Sequence, residues 1–485
     1  MRKLLAFLGA AVMAASLAGG AGASATSKPS GPDLSSPTAI ANYLTSKGIN
    51  PATVVTQAGL NNYAGPSCPG LGWTCTTSTR VVQIAAPGGQ NVTNCTDTIT
   101  GECISIQQSD TRNTATCVEK TAPIQHCMIT QTGARNFARV DQYYSDNSSA
   151  SDAVQTADVS QLEATDKNEL QLDQDIQQKT STGDPQSQNA HQFVVLTQSG
   201  NGPTNNFAHV HQAQNQDEGG NAAQQNQNTT NASSFANPDA ASTAATCASL
   251  GGVPNPNLCA RFDQSTDDGN NEAHLHQLGA ESEKSSAAAN QAQGQPDGGE
   301  ASSLDQYVYG SGTNRNESVQ HKQQDAKSNG GVATQWDPVR CCGVSQVGGA
   351  NDRNDTNQLV DQSAAGGTYT QNADVTGHVD IVSGGDLAAL PSAGGVSGTC
   401  SVSHHVRQND EGTNTNVTDN SAPCDVFLET FCTSSNAPPS SSPSSAAASM
   451  PCTTPDLATG GADLPAFDVT AEPASYSTPS WYQNF

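Results

Sequence analysis

Between about residues 130 and 382 the chain repeats a pattern of alternate positions. Asn, Ser or Gln comes first, then a small or apolar residue, then an apolar residue, then Gln, with the intervening positions free. The first copies are Asn136-Ala138-Val140-Gln142, Gln155-Ala157-Val159-Gln161, Asn168-Leu170-Leu172-Gln174, Gln192-Val194-Leu196-Gln198, Asn206-Ala208-Val210-Gln212 and Asn221-Ala223-Gln225-Gln227. After an interruption they resume as Asn271-Ala273-Leu275-Gln277, Ser285-Ala287-Ala289-Gln291, Glu300-Ser302-Leu304-Gln306, Asn314-Asn316-Ser318-Gln320 and Asn329-Gly331-Ala333-Gln335. A period of two puts every other side chain on one face, so each copy reads as a strand with one buried face. The final glutamines from Gln277 to Gln335 are spaced 14, 15, 14 and 15 residues apart, a regularity that a drifting polar chain does not keep. Turns rich in Gly, Asn, Asp and Ser separate the copies, as in Gln295-Pro-Asp-Gly-Gly299. Two units then make a coil of roughly 29 residues.

Composition makes the amides at these positions decisive. Leu, Ile, Val and Phe together are roughly 15% of residues and the formal charge is −26, a balance typical of chains that do not fold around an apolar core. Identical Asn or Gln side chains on successive rungs, about 4.8 Å apart, hydrogen-bond up a stack and satisfy amides that otherwise could not be buried. The expected ladder residues are Asn136, Gln142, Gln161, Asn168, Gln174, Gln198, Asn206, Gln212, Asn221, Gln227, Asn271, Gln277, Gln291, Gln306, Gln320 and Gln335. The fold class that follows is all-β: a β-solenoid of stacked short strands with Asn/Gln ladders, preceded by a small disulfide-stapled α+β module.

Residues 1–23 read as a signal peptide, with Arg2 and Lys3 ahead of an apolar run and Ala21-Gly22-Ala23 at the cleavage region, so export to the extracellular space or cell surface is expected. Residues 24–128 form a Cys-stapled N-terminal capping module. In it a helix over Pro37–Thr45 follows the capping candidates Ser35 and Ser36 and stops at Gly48, a second short helix runs from Asn50-Pro51 to near Gly59, and Arg80–Ala85 is a strand. The solenoid spans 129–383, with a loop ejected near 233–260. A C-terminal cap over 384–433 and a Pro/Ser-rich tail over 434–485 complete the chain.

Fourteen cysteines in an exported chain point to disulfides. Their order suggests the local pairs Cys68/Cys75, Cys95/Cys103, Cys117/Cys127, Cys247/Cys259, Cys400/Cys424 and Cys432/Cys452. No CxxC pair occurs, which argues against structural zinc, and no CxxCH haem motif is present.

Four copies, starting at Asn136, Asn206, Asn221 and Asn271, match Asn-x-Ala-x-x-x-Gln, and Gln131-Thr-Gly133 precedes the first. This pattern resembles the Gln-x-Gly-x-Asn-x-Ala-x-x-x-Gln repeat of curlins, the secreted bacterial subunits of curli amyloid fibres, and covers about half the chain. The resemblance implies a β-solenoid with inward amide ladders and a role in an extracellular fibre or matrix. The units here are longer than those of curlins, and one residue is inserted between Gly133 and Asn136.

Removal of the leader with Arg2 and Lys3 takes the formal charge to about −28, which repels nucleic acid and anionic membranes. No later stretch offers about eighteen consecutive apolar residues, so no membrane insertion is expected. No nucleophile elbow, HExxH, P-loop or dinucleotide fingerprint occurs, so no catalytic residue, metal ligand or cofactor is assigned. His209, His211, His274 and His276 sit at matching free positions. Stacking of those strands would cluster four imidazoles as a metal or pH-sensitive site, but the same positions hold Arg139, Asp141, Gln171 and Asp173 in other copies, and so read as variable and outward-facing. Weak calcium binding by acidic turns such as Asp267-Asp268-Gly269 and Asp352–Asp355 is the remaining metal expectation. The expected function is a secreted structural subunit of a fibre, sheath or matrix whose partners are copies of itself or other matrix proteins. The alternative is a monomeric adhesin or surface-binding module using the solenoid as a spacer.

Overall fold

A computed structural model describes residues 29–96, 100–146, 152–180, 189–218, 258–283, 300–308, 315–327, 332–338, 344–348, 353–365, 368–374, 379–383, 399–409, 413–418, 425–432 and 448–451. The chain is a β-solenoid. Helix α1 (Pro37–Ser46) and a 3-10 turn (Pro51–Thr53) come first, then β1 (Val55–Ala64), β2 (Trp73–Thr76), β3 (Arg80–Thr96), β4 (Glu102–Gln108), β5 (Arg112–Glu119) and β6 (Ile124–Thr132). The middle holds β7 (Arg135–Asp146), β8 (Asp152–Ala164), β9 (Lys167–Thr180), β10 (Asn189–Pro203), β11 (Asn205–Glu218), β12 (Leu258–Asp268) and β13 (Asn270–Glu283). Then follow β14 (Glu300–Val308), β15 (Arg315–Lys327), β16 (Val332–Pro338), β17 (Val344–Gly348), β18 (Arg353–Ala365), β19 (Thr368–Asp374), β20 (Val379–Ser383), β21 (Thr399–Asn409), β22 (Thr413–Thr418), β23 (Asp425–Cys432) and β24 (Ala448–Pro451).

Apart from β24, the strands pair in parallel with the strand one coil away, so two facing ladders build the body. One face stacks the second half of β3, then β5, β7, β9, β11, β13, β15, β18, β21 and β23. The other stacks the first half of β3, then β4, β6, β8, β10, β12, β14, β17 and β20. A third, smaller ladder of β16, β19 and β22 accompanies the later coils, and β24 adds to it antiparallel. Inside, thin columns of Ala, Val, Leu and Cys meet between the faces, among them Ala138, Val140, Ala157, Val159, Leu170 and Leu172.

Coil length is far from constant. Matching asparagines lie 29, 22, 23, 32, 38 and 65 residues apart on successive rungs, so only the first spacing equals 29. The rung is fixed by strand pairing while corner loops absorb insertions, and loop length costs little free energy. Where corners do crowd, glycine is required. A Cβ at Gly133 would lie 2.1 Å from the Ser109 carbonyl oxygen, and one at Gly269, whose φ is +125°, would lie 2.0 Å from that of Thr204.

Several expectations are revised. The helix forms as read, with the Ser36 hydroxyl accepting from the Ala39 amide at 3.2 Å and Gly48 at φ +79° beyond it. The second helix shrinks to the 3-10 turn, because the β-branched Val54, Val55 and Thr56 lead into β1. Helix α1 also does not cap the end of the stack. Its Ile40 and Leu44 pack with Leu34 and Ile49 on the outward residues Val82, Ile104, Ile106 and Met128, and Tyr43 reaches the Thr130 hydroxyl at 3.0 Å. Strands β3 to β6 belong to the same ladders as β7 and β8, so the pairing runs unbroken through residue 128. It also continues beyond 383 into β21 and β23, and Ala448–Pro451, within the segment read as a tail, is a strand.

The unit Asn221 to Gln227 lies outside the described residues. Among the described residues β11 pairs directly with β13, and β12 begins at Leu258, inside the loop expected at 233–260. Register also shifts in the copy at 314–320: Asn316 pairs with Asn271, Gln320 with Leu275 and Lys322 with Gln277. The shift of two residues keeps every side chain on its face.

Candidate functional site

Seven asparagines form one continuous column. Asn62 donates to Asn91, Asn91 to Asn113, Asn113 to Asn136, Asn136 to Asn168, Asn168 to Asn206 and Asn206 to Asn271, at 2.7–2.9 Å. The second amide hydrogen is used as well: Asn113 donates to the Thr132 carbonyl at 2.9 Å and Asn206 to that of Ser265 at 2.9 Å. Both are corner carbonyls of the opposite face.

On that face eight glutamines form a second column, Gln57, Gln83, Gln107, Gln131, Gln161, Gln198, Gln264 and Gln306, again linked at 2.7–2.9 Å. Each spare Nε2 hydrogen crosses to the residue just after a ladder asparagine. Gln131 reaches the Phe137 carbonyl, Gln161 that of Glu169, Gln198 that of Phe207 and Gln264 that of Glu272, at 2.8–3.0 Å. Two shorter columns complete the interior: Gln142, Gln174, Gln212 and Gln277, and Gln125, Gln155 and Gln192. Buried amides are thereby paired along the stack and across it, which holds the two faces at fixed spacing.

Of the expected ladder residues, Asn136, Gln142, Gln161, Asn168, Gln174, Gln198, Asn206, Gln212, Asn271, Gln277 and Gln306 sit in these columns. Gln320 is buried but stands in register with an apolar position, and Gln335 belongs to the third ladder, opposite Gln371. Asn221, Gln227 and Gln291 lie outside the described residues. The N-terminal members Asn62, Asn91, Asn113, Gln57, Gln83 and Gln107, together with Gln131 and Gln264, are additional. Asn113-Ala115-Cys117 carried the same alternate spacing, but it ends in Glu119 rather than Gln and holds cysteine at the apolar position.

Disulfides join Cys68 to Cys75, Cys95 to Cys103 and Cys117 to Cys127. Cys95 is in register with Cys117, and Cys103 with Cys127, so two bridges stack across the interior on adjacent rungs. The next rung fills the same places with Val140 and Ala157. The pairs expected for Cys247, Cys424 and Cys452 involve residues outside the description. Cys259, Cys400 and Cys432 lie in β12, β21 and β23.

At the N-terminal end the chain begins one rung in. Among the described residues, β1 lies between β2 and β3 on the asparagine face, so β2 is the outermost rung there, and on the glutamine face Val55–Gly59 of β1 pairs only with β3. Val55, Leu60 and Leu71 are exposed beside these edges.

The outer surface of the asparagine face carries acid and imidazole. Burial lifts the Asp175 carboxyl to about 6 and also raises that of Asp141. In the same surface His209 is in register with His274, and His211 with His276. These positions face outward, as the variable-position reading expects, but the rings are in contact: His209 stacks on His274 with centroids 4.5 Å apart, and His211 lies tilted against His276 at 5.0 Å. The turn at Asp267-Asp268-Gly269 joins β12 to β13, and Asp352 lies outside the described residues. Among the described residues no helix is long and apolar enough to cross a membrane.

No protein-family model matches this chain, and no curated protein and no solved structure matches it.

Proposed function

We propose that this protein is a secreted structural subunit that adds copies of itself end to end in an extracellular fibre, sheath or matrix. The observation that carries the reading is the N-terminal end of the parallel ladders, where among the described residues β2 pairs only with β1 and Val55–Gly59 only with β3, beside exposed Val55 and Leu60. Strand edges of this kind template further parallel pairing, so an added strand continues a ladder in the direction already built. The curlin-like Asn-x-Ala-x-x-x-Gln copies support the same role. Disulfides confined to solenoid corners and interior suit an oxidising compartment. The net charge of −26 opposes close approach of copies, so assembly should be slow at low ionic strength and faster as salt screens it.

Electron microscopy of the purified oxidised protein over a concentration series, alongside thioflavin fluorescence, tests this. Uniform filaments whose number rises with concentration support the subunit reading. Short rods of constant length at every concentration and salt would replace it with the adhesin or spacer reading.

A further inference from the structure

Chain topology brings together, on one outer surface, residues that are far apart in sequence. Strand β11 places Phe207, His209 and His211 outward, and β13 places Glu272, His274 and His276 directly beside them. One ligating atom from each of His209, Glu272 and His274 lies within 4.8 Å of the other two, and all three side chains are partly exposed. His274 Nε2 and Glu272 Oε1 are 3.0 Å apart, and Phe207 stacks on His209 with centroids 4.4 Å apart, which limits how that imidazole can turn. We propose that His209, His274 and Glu272 form a binding site for a divalent transition-metal ion of the imidazole-preferring class, with zinc as the type ion.

The donor set decides the class. Two imidazole nitrogens and one carboxylate suit zinc, copper or nickel, whereas calcium takes six to eight oxygens. Ligating bonds of about 2.0–2.2 Å require the three donors to draw closer than they stand without an ion. All three are side chains on paired strands, so rotation about their χ angles is enough and the backbone need not move. An ion between His274 and Glu272 takes the place of the proton they share. The neighbouring pair does not offer the same site among the described residues: the three donors brought within 4.8 Å are those of His209, Glu272 and His274, whereas Asp173 approaches His211 from β9, on the far side from His276. The location also gives the ion a structural consequence. His209 and His274 lie on paired strands whose ladder partners Asn206 and Asn271 are 65 residues apart, so a bound ion ties two sequence-distant strands together on adjacent rungs.

Isothermal titration calorimetry of zinc chloride into the full oxidised protein, with EDTA-treated protein as the start, tests the site. Wild type should bind one equivalent at this site. His274→Gln and Glu272→Gln should each weaken that binding by at least the roughly tenfold that even changes outside the ligand shell cost, while His211→Gln and His276→Gln should leave it within about twofold. The melting temperature should rise with zinc in wild type and not in His274→Gln. Copper(II) electron paramagnetic resonance of the unmodified protein provides a readout independent of any variant, with hyperfine coupling to two imidazole nitrogens expected. Absence of saturable zinc binding, unchanged affinity in both His274→Gln and Glu272→Gln, or a copper spectrum lacking imidazole nitrogen would each overturn the proposal. Filament formation plays no part in these readouts, so they stand or fall apart from the assembly reading.

Discussion

Gln198 donates its side-chain amide back to Gln161 at 2.8 Å, toward the N-terminal end, whereas Asn168 on the facing ladder donates forward to Asn206 at 2.8 Å. The two columns therefore run with opposite hydrogen-bond polarity. Each direction is fixed because the remaining amide hydrogen has a backbone carbonyl waiting, that of Phe207 for Gln198 and that of Ser199 for Asn168.

Replacing Gln198 with Glu removes both donors from this junction. The Gln161 Oε1 and the Phe207 carbonyl lose their partners, and a carboxylate is left where relative exposure is 0%. The expected loss at pH 7 is about 3–5 kcal/mol, the range for a buried charge without compensation. Burial favours the neutral acid, so the folded-state pKa of the introduced carboxyl is raised above its unfolded value. The penalty is therefore smallest below the unfolded pKa, where the protonated form again donates once, and grows as pH rises through the folded pKa. Urea unfolding at pH 4 and pH 7 measures this, and an equal loss at both would contradict the ladder assignment.

The stacked disulfides offer a direct test of how much the first rungs depend on covalent closure. Val140 and Ala157 occupy, one rung up, the places of Cys117 and Cys127. The double variant Cys117→Val with Cys127→Ala should therefore pack without strain and lose mainly the closure of a short loop, about 2–3 kcal/mol on the chain-entropy account. Thermal unfolding of the oxidised variant beside wild type reads it. A loss well above that range would mean that the bridge positions rungs that the amide columns cannot hold alone.

Asp175 gives a pH signature of native stability. Its folded pKa, lifted to about 6 first by burial and further by Asp173 and Asp141, exceeds the unfolded value, so the native state prefers the protonated acid. The contribution is favourable below the unfolded pKa near 4 and is lost as pH rises to about 6. Asp175→Asn should then raise the melting temperature at pH 7 and leave it nearly unchanged at pH 4. Calorimetric scans at the two pH values decide it.

The alternate-position pattern made the strands, their buried face and most of the central ladder residues legible, because a period of two is local and the amide requirement recurs at each rung. What it could not carry was the pairing between rungs. Gln264 is hard to read because Leu258-Ala260-Phe262 begins its strand without an amide, and the copy ending at Gln320 reads with Gln320 as its last position although Asn316 stands in register with Asn271. Even spacing of glutamines along the chain suggested equal coils, yet hydrogen bonding counts rungs and not residues. The histidine cluster was legible only as matching positions in two copies, since whether His209 and His274 meet depends on β11 pairing with β13.

Corner glycines divide into those that relieve a contact and those that only adopt an unusual dihedral angle. Gly269 does both: its φ is +125° and a Cβ would sit 2.0 Å from the Thr204 carbonyl oxygen, a backbone atom that cannot rotate aside. Gly88 has φ +80° but nothing within 4 Å of the same point. Gly88→Ala should therefore cost only the roughly 1–2 kcal/mol of a left-handed residue. Gly269→Ala must in addition push β12 and β13 from the corner at Thr204, and should exceed that cost by about 1–3 kcal/mol, as other forced contacts do. Because Gly269 joins the strand carrying Gln264 to the strand carrying Asn271, the strain should appear in both columns. Hydrogen exchange of the Gln264 and Asn271 backbone amides should rise in Gly269→Ala and stay at the wild-type rate in Gly88→Ala. Equal protection in the two variants would mean that the corner yields without disturbing the rungs, and that the close approach at Thr204 is not what holds them in register.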